Sequence, residues 1–245
     1  MRVFLFVVWT VLVSTLIFIL QFVFGKQSTS WQARRQRLFS RWARGALWLL
    51  NVDLSVVGDP PTPPCLLVSN HLGYLDIVVY AAVLDATFVS KQEVAHWPLL
   101  GAVVRVLGTI FVDRTKRKDV SRVNTLINNS LESGRAVILF AEGTSSNGED
   151  VLPLHPSLLS PAEGGRYPVR YARLAYTTPA SEPHAGDAVC WWGDSEFLEH
   201  AWGLFQVRRI DALLHFGDGV VQSDCRKELA RTLHQHIRSL PASSN

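Results

Sequence analysis

The stretch Asn70-His71-Leu72-Gly73-Tyr74-Leu75-Asp76 holds the side chains best suited to acid–base chemistry. It follows an apolar run, Cys65 to Ser69, that predicts a short strand, and it precedes a segment that predicts a helix. Ligands gather at the carboxyl ends of strands in open α/β sheets. A histidine at this point of the chain is therefore placed for chemistry.

His71 and Asp76 would lie about 140° apart on one continuous helix of 3.6 residues per turn. They can meet only if His71 lies in a turn and Asp76 in the first helical turn, with Gly73 easing the bend. Asp76 could then accept the Nδ1 proton of His71 and leave Nε2 free as a general base. Taken alone, such a pair is more often structural than catalytic.

This segment resembles the N-H-x-x-x-x-D (HX4D) block of the glycerolipid acyltransferases, the family of 1-acylglycerol-3-phosphate acyltransferases. Two further stretches, Gly108 to Arg114 and Phe140 to Thr144, resemble the second and third blocks of that family and follow in the same order. The resemblance covers residues 60–220. It implies a membrane enzyme of phospholipid biosynthesis that acylates the sn-2 hydroxyl of lysophosphatidate to give phosphatidate.

The resemblance also implies a role for each residue of the three blocks. His71 and Asp76 would be catalytic, and Arg114 would hold the phosphate of the acceptor. The third block would complete the substrate-binding site, although Glu142 is equally suited to holding the loop: its residues are Glu142, Gly143, Thr144 and Ser145. The implied mechanism uses no metal and no cofactor. Its co-substrate would be an acyl thioester of coenzyme A or of acyl carrier protein.

Three positions depart from the family pattern. Ala141 stands where the family usually has Pro, Ser145 stands where many members have Arg, and the fourth block, Tyr167 to Tyr171, has its Pro early. Loss of the Arg removes one basic partner for a phosphate. Two alternatives therefore stay open: O-acylation of another lysolipid, such as lyso-ornithine lipid, and a non-catalytic lipid-binding relative. The intact His71–Asp76 pair argues against the second.

Other function classes are disfavoured. The stretch Gly143 to Asn147 fails the G-x-S-x-G pattern of serine hydrolases at its last position. The chain has 3 cysteines, widely spaced and without a C-x-x-C pair, which argues against a disulfide framework and a zinc site. Free cysteines fit a reducing, cytosol-facing compartment.

The N-terminal region predicts a membrane segment. Val3 to Phe24 has only four polar breaks, and a helix of this length would span about 33 Å, enough for a bilayer core. The bases follow this segment, so the positive-inside rule places the rest of the chain in the cytoplasm, at a bacterial inner membrane. A cleaved signal peptide and a helix lying in the interface are the competing interpretations.

Residues 31–50 predict a basic amphipathic helix. Residues 1–52 hold 7 of the 24 bases and no acid, so the positive excess lies entirely in this part of the chain. A basic segment beside an apolar one indicates anionic lipid headgroups rather than nucleic acid. Such a helix could lie at the membrane or pack on the catalytic domain, and the sequence favours neither.

These patterns divide the chain into a membrane anchor helix (1–25), the basic amphipathic segment (26–58), an acyltransferase domain (59–240) and a tail (241–245). The Pro-rich stretch at 59–64 marks the second boundary. The domain predicts an α/β fold with a mostly parallel sheet flanked by helices. The predicted strands are 65–69, 109–112, 136–140, 167–176 and 210–216, and residues 188–192 form a further short apolar run. The predicted helices are 75–84, 98–107, 119–132 and a last one capped by Ser223.

Overall fold

The computed structural model describes residues 1–24, 29–96, 101, 105, 108–112, 119–162 and 165–243. Within these residues, seven strands form one sheet in the order β1-β7-β6-β2-β5-β3-β4. All neighbouring pairs are parallel except β6 and β7. The strands are β1 (Val52–Val57), β2 (Cys65–Ser69), β3 (Ala86–Lys91), β4 (Ile110–Val112), β5 (Ala136–Phe140), β6 (Val169–Thr177) and β7 (Ile210–Phe216). The predicted α/β class with a mostly parallel sheet is confirmed.

The two central strands, β2 and β5, are buried at every residue. Alternate side chains of β5 enter different cores: Ile138 packs with the N-terminal helices, and Val137 and Leu139 pack with the helices on the other face. A parallel strand covered on both faces reads as a continuous apolar run rather than an alternating one. This explains why both strands could be predicted with their exact ends.

Helices cover both faces of the sheet. α2 and α3 lie on one face with α1 outside them, and α4 and α7 lie on the other. The helices are α1 (Arg2–Phe24), α2 (Thr29–Leu49), α3 (Leu75–Val83), α4 (Asp119–Glu132), α5 (Ala185–Ala188), α6 (Phe197–Leu204) and α7 (Arg226–Ser239), with 3₁₀ helices at Gln92–His96 and Pro156–Ala162.

The amphipathic helix α2 packs on the domain. Phe39, Trp42, Ala43 and Ala46 are buried in the core beneath it. Polar side chains of α2 reach the last carbonyls of α3: Arg44 Nε donates to Ala82 at 3.2 Å. The end of a helix leaves carbonyls without intrahelical partners, so part of the basic character of α2 caps α3.

The short apolar run at 188–192 forms no strand: α5 ends at Ala188, and the amide of Trp191 donates to the carbonyl of Leu72. The predicted cap at Ser223 is wrong. The last helix begins at Arg226, and Cys225 at its N-cap makes no side-chain capping bond. Strands β1 and β3 were not predicted. Most of the helix predicted at 98–107 lies outside the described residues.

Candidate active site

The side chain of Asn70 continues the pairing of β2 with β6 after the strand ends. Its Nδ2 donates to the carbonyl of Leu174 at 2.8 Å, and its Oδ1 accepts from the amide of Leu174 at 2.8 Å. A side-chain amide carries donors and an acceptor, so it can replace a backbone partner. The main chain can therefore leave the sheet here, which places His71 at the carboxyl edge.

His71 and Asp76 form a hydrogen-bonded pair. Nδ1 of His71 lies 2.7 Å from Oδ2 of Asp76. His71 lies in the turn after β2, and Asp76 is the second residue of α3. The pair is therefore formed across the start of a helix, as the five-residue spacing requires.

Gly73 permits this turn. Its φ is 153°, and a β-carbon at this position would lie 2.9 Å from the amide nitrogen of Trp191. That amide donates to the carbonyl of Leu72 at 2.8 Å, so the chain at Trp191 packs directly on the turn. A side chain at Gly73 would have to displace this contact.

The Asp76 carboxylate is fully buried and accepts four hydrogen bonds. Oδ2 accepts from His71 and from the amides of Leu72 and Gly73, at 2.7 and 3.1 Å. Oδ1 accepts from the hydroxyl of Tyr176 at 3.0 Å. An ionised carboxylate can only accept, so the proton shared with His71 resides on Nδ1.

The imidazole of His71 is held on its face as well as at its edge. It stacks on the ring of Phe140, with centroids 4.2 Å apart and planes 15° apart. The side chain is 24% exposed, and in the described part of the chain no residue bonds Nε2. Nε2 is thus the unprotonated nitrogen that can take a proton from a substrate hydroxyl.

Glu142 joins two loops of the site. Its Oε2 accepts from the amide of His71 at 3.0 Å, and its Oε1 accepts from the amide of Leu152 at 2.9 Å. The residue is 2% exposed. Burial raises the pKa of Glu142 to about 8, the two amides oppose this rise, and the charge of Asp76 adds to it. These contacts give Glu142 a clear task in holding the backbone of His71.

The remaining third-block residues lie beside the pair. Gly143 has φ 74°, and a β-carbon there would lie 2.9 Å from Cδ2 of His155. Thr144 is exposed and Ser145 is half-buried. The next amide, of Ser146, donates to the carbonyl of His71 at 2.9 Å. Ser145 is therefore close to the turn that holds His71 and brings no charge to it. Arg114 lies outside the described residues.

Tyr74 and His200 connect the turn between β2 and α3 to helix α6. The carbonyl of Cys190 accepts from Nε2 of His200 at 3.1 Å, so Nδ1 of the neutral ring accepts from the hydroxyl of Tyr74 at 2.9 Å. Burial lowers the pKa of His200, which favours this neutral ring. Neither His200 nor Tyr176 was among the predicted site residues, because both are over 90 positions from the motif they contact.

An apolar cavity of about 230 Å³ adjoins the turn. One side of it is formed by Tyr74, Leu75 and Val78, and the others are formed by α1 and α6 together with Leu50 and Phe205. The wall residues are Val3, Phe6, Val7, Leu50, Phe197, Leu198, Ala201, Trp202, Leu204 and Phe205. Such a lining suits an aliphatic chain.

Helix α1 is long and apolar enough to cross a membrane, a property that buried helices and signal sequences share. One stripe of it packs on the domain: Nε1 of Trp42 donates to Thr10 at 3.1 Å, and Nε1 of Trp9 donates to the carbonyl of Trp42 at 3.2 Å. The opposite face is exposed and apolar. Its residues include Phe4, Val8, Val11, Leu12, Phe18, Ile19, Phe22 and Val23.

Comparison with known proteins places these features in a family. The family model described as Acyltransferase matches residues 55–170. A lyso-ornithine lipid O-acyltransferase of Brucella abortus is 34% identical, with 99% of this chain and 95% of that protein covered. A 1-acyl-sn-glycerol-3-phosphate acyltransferase of Neisseria meningitidis is 31% identical, with 85% and 82% covered.

The fold is also that of a solved structure. The crystal structure of the 1-acyl-sn-glycerophosphate (LPA) acyltransferase PlsC from Thermotoga maritima matches with a TM-score of 0.65 at 18% identity, and the match covers 100% of both chains. At this identity the likeness shows the fold alone.

Proposed function

Because the chain belongs to the Acyltransferase family, we propose that it transfers a fatty acyl chain from an acyl thioester to the free hydroxyl of lyso-ornithine lipid. Acylation of a lysolipid is the activity common to its relatives. One observation carries the proposal that the chain is an acyltransferase and not only a lipid-binding protein. Nδ1 of His71 is bonded to a buried carboxylate at 2.7 Å, which leaves Nε2 as a base. A protein that only binds lipid has no need of such a pair.

The reaction is a direct transfer. Nε2 of His71 removes the hydroxyl proton while the oxygen attacks the thioester carbonyl carbon. The tetrahedral intermediate then collapses, the C–S bond breaks, and the imidazolium returns the proton to the leaving thiolate. General-base help of this kind is worth about 10²- to 10⁴-fold in rate. Asp76 holds the tautomer and stabilises the imidazolium, as the carboxylate does in a Ser-His-Asp triad.

Ser145 favours lyso-ornithine lipid as the acceptor. It lies next to Ser146, whose amide bonds the backbone of His71, so a headgroup held near Nε2 meets a neutral side chain there. A phosphate would gain from Arg at this position through a charge-assisted contact. An ornithine headgroup carries no phosphate, and its single carboxylate is balanced by its own ammonium group, so it gains less from an Arg at this position. The Brucella relative, which matches nearly the whole chain, is named for this acceptor.

A direct competition tests the acceptor. Purified enzyme is assayed with one acyl thioester and with lyso-ornithine lipid or lysophosphatidate, each in the same detergent micelles. We expect kcat/KM to favour lyso-ornithine lipid by about tenfold or more, the value of one charged hydrogen bond. Ser145→Arg should shift the ratio toward lysophosphatidate, and Thr144→Arg, which adds the same charge at an exposed neighbour, should shift it less. A wild-type preference for lysophosphatidate would reject the assignment.

Lysophosphatidate is the second candidate, with phosphatidate as its product. It is favoured by the block Gly108 to Arg114, whose Arg would be the main charged partner of the phosphate. In that case Arg114→Ala should raise the acceptor KM strongly with a smaller effect on the donor, and Arg114→Lys should recover only part of the loss because Lys lacks the bidentate fork. Equal impairment of donor and acceptor would contradict this role.

The acyl donor is a thioester of coenzyme A or of acyl carrier protein. The leaving thiolate needs a proton, and the imidazolium supplies it without any further group. Matched acyl chains on the two carriers, compared by kcat/KM with one acceptor, identify the donor. Absence of transfer from both, in an enzyme that binds lysolipid, would refute thioester chemistry.

Helix α1 attaches the enzyme to the cytoplasmic side of the membrane through its exposed apolar face. Its N-terminal end contacts the domain. Arg2 donates to the carbonyl of Val207 at 3.1 Å, and the ring centroids of Phe6 and Phe205 lie 5.2 Å apart. Its last residue, Phe24, lies 5.0 Å below the guanidinium of Arg34 in α2. A helix that is bonded to the domain at its start and packs on α2 at its end is better suited to lying in the interface than to crossing the bilayer.

A further inference from the structure

The two oxygens of the Asp76 carboxylate bond different parts of the structure. Oδ2 accepts from His71 and from two backbone amides, all of which belong to the catalytic turn. Oδ1 accepts from the hydroxyl of Tyr176, which comes from β6 on the other side of the core, at 3.0 Å. Rotation about the last torsion of an aspartate is soft. The tyrosine thus bonds the oxygen that the turn leaves free.

We propose that Tyr176 is a positioning residue for acyl transfer: its buried hydroxyl fixes the plane of the Asp76 carboxylate and holds Oδ2 on Nδ1 of His71. The proposal rests on the general-base role of His71 given above. Tyr176 does not touch the reacting atoms and acts only through Asp76.

The surroundings of Tyr176 hold its hydroxyl in place and keep it protonated, so that it can donate to Asp76. The residue is 8% exposed, and its backbone is fixed in the antiparallel pairing with β7, opposite Ala212. Burial and the neighbouring carboxylate raise the pKa of Tyr176 well above its ordinary value. The phenol therefore stays neutral and keeps its proton for the bond to Asp76.

A second tyrosine in the same core separates positioning from packing. Tyr80 is fully buried in the same core, and its hydroxyl donates to Oγ of Ser69 at 2.6 Å. It lies on α3, one turn after Asp76, without a hydrogen bond to that carboxylate. Tyr176→Phe and Tyr80→Phe each remove one buried hydroxyl from the same core. Only the first removes a donor from the catalytic pair.

The two variants differ in their expected kinetics. We expect Tyr176→Phe to lower kcat by about 10- to 100-fold, the worth of one hydrogen bond to a charged group, with the KM of the lysolipid unchanged within a factor of two. Without the donor the carboxylate becomes more basic, so protonation of the pair, and with it the acidic limb of the kcat/KM profile, should move up by about one pH unit. Tyr80→Phe should keep the wild-type acidic limb.

The measurement is a pH–rate profile of wild type and both variants, with whichever lysolipid the wild type acylates. An equal fall in kcat for both variants, or a Tyr176→Phe profile that superimposes on wild type, would overturn the proposal. If Tyr176→Phe does not fold, incorporation of 3-fluorotyrosine at position 176 supplies a stronger donor of similar shape, and the acidic limb should then move down. An unmoved limb would equally refute the proposal. Activity of His71→Ala would instead refute the base role.

Discussion

Replacing Asp76 with asparagine separates the charge of this residue from its geometry. The amides of Leu72 and Gly73 donate to the same oxygen that bonds His71. An NH₂ group at that place would face two N–H donors, so the asparagine must put its oxygen there and turn its nitrogen toward Tyr176, whose hydroxyl can accept. Asp76→Asn should therefore keep the proton of His71 on Nδ1 and remove only the negative charge.

The lost charge matters most in the transition state, when His71 is an imidazolium. Two unit charges about 4 Å apart interact by about 4 kcal/mol at an effective dielectric constant near 20, which corresponds to about 10³-fold in rate. The neutral hydrogen bond that remains is worth about 1 kcal/mol. We therefore expect kcat to fall by about 10²- to 10³-fold, less than the ~10⁴-fold found where asparagine imposes the wrong tautomer.

Steady-state acyl transfer with saturating thioester measures this effect, with circular dichroism to show that the variant is folded. Asp76→Ala is the control, because it removes both the charge and the hydrogen bond that fixes the His71 tautomer, and it should therefore lose more activity. A value of kcat within tenfold of wild type would show that the charge does not stabilise the imidazolium. A loss as large as that of His71→Ala would show that the two amides do not hold the asparagine in the productive orientation.

Three further predictions concern the turn at Gly73, the buried Glu142 and the exposed face of α1. Gly73→Ala should lower the melting temperature and kcat together, because its β-carbon would lie 2.9 Å from the amide of Trp191; unchanged melting by calorimetry would contradict this. The pKa of Glu142 is raised from 4.5 to about 8, so folding retains a proton that the unfolded chain releases, and the free energy of unfolding should fall as pH rises from about 4.5 to about 8. Urea titrations at several pH values should show this fall in the free energy of unfolding for wild type, and most of the fall should be absent in Glu142→Gln. The same pH dependence in both proteins would reject the attribution to Glu142. Phe18→Asp, on the exposed face of α1, should weaken sedimentation with anionic vesicles but spare activity in detergent, whereas Thr125→Asp on α4 should change neither.

The sequence predicted those parts of the fold that are specified locally. β2, β5 and β7 have the predicted ends, and α4 runs from Asp119 to Glu132 as predicted. β1 was missed because it alternates only weakly and its last three residues are exposed. In the apolar stretch at 188–192, Val189 and Cys190 are buried beside the turn after β2, and sequence periodicity cannot distinguish such burial from burial in a sheet.

The candidate site was also predicted only where its contacts are local in the sequence. The His71–Asp76 contact could be predicted because both residues lie in one turn, where spacing limits the geometry. Tyr176 donates to Asp76 across 100 residues, and His200 contacts Tyr74 across 126. No pattern within either segment indicates such a contact. A side chain that positions a catalytic group from another strand is therefore found only in three dimensions.

Helices α1 and α2 are bonded to each other and to α3, and this affects how the membrane role of α1 can be tested. α2 bonds the carbonyls that end α3, with Ser40 and Arg44 both on Ala82, and α3 begins at the turn that holds Asp76. α1 in turn covers α2 through Thr10 and Trp42. Deletion of α1 would expose the buried stripe of α2 to water and lower stability as well as membrane binding. Substitutions confined to the exposed face of α1 leave these contacts intact, so a loss of vesicle binding in such variants can be attributed to lipid contact alone.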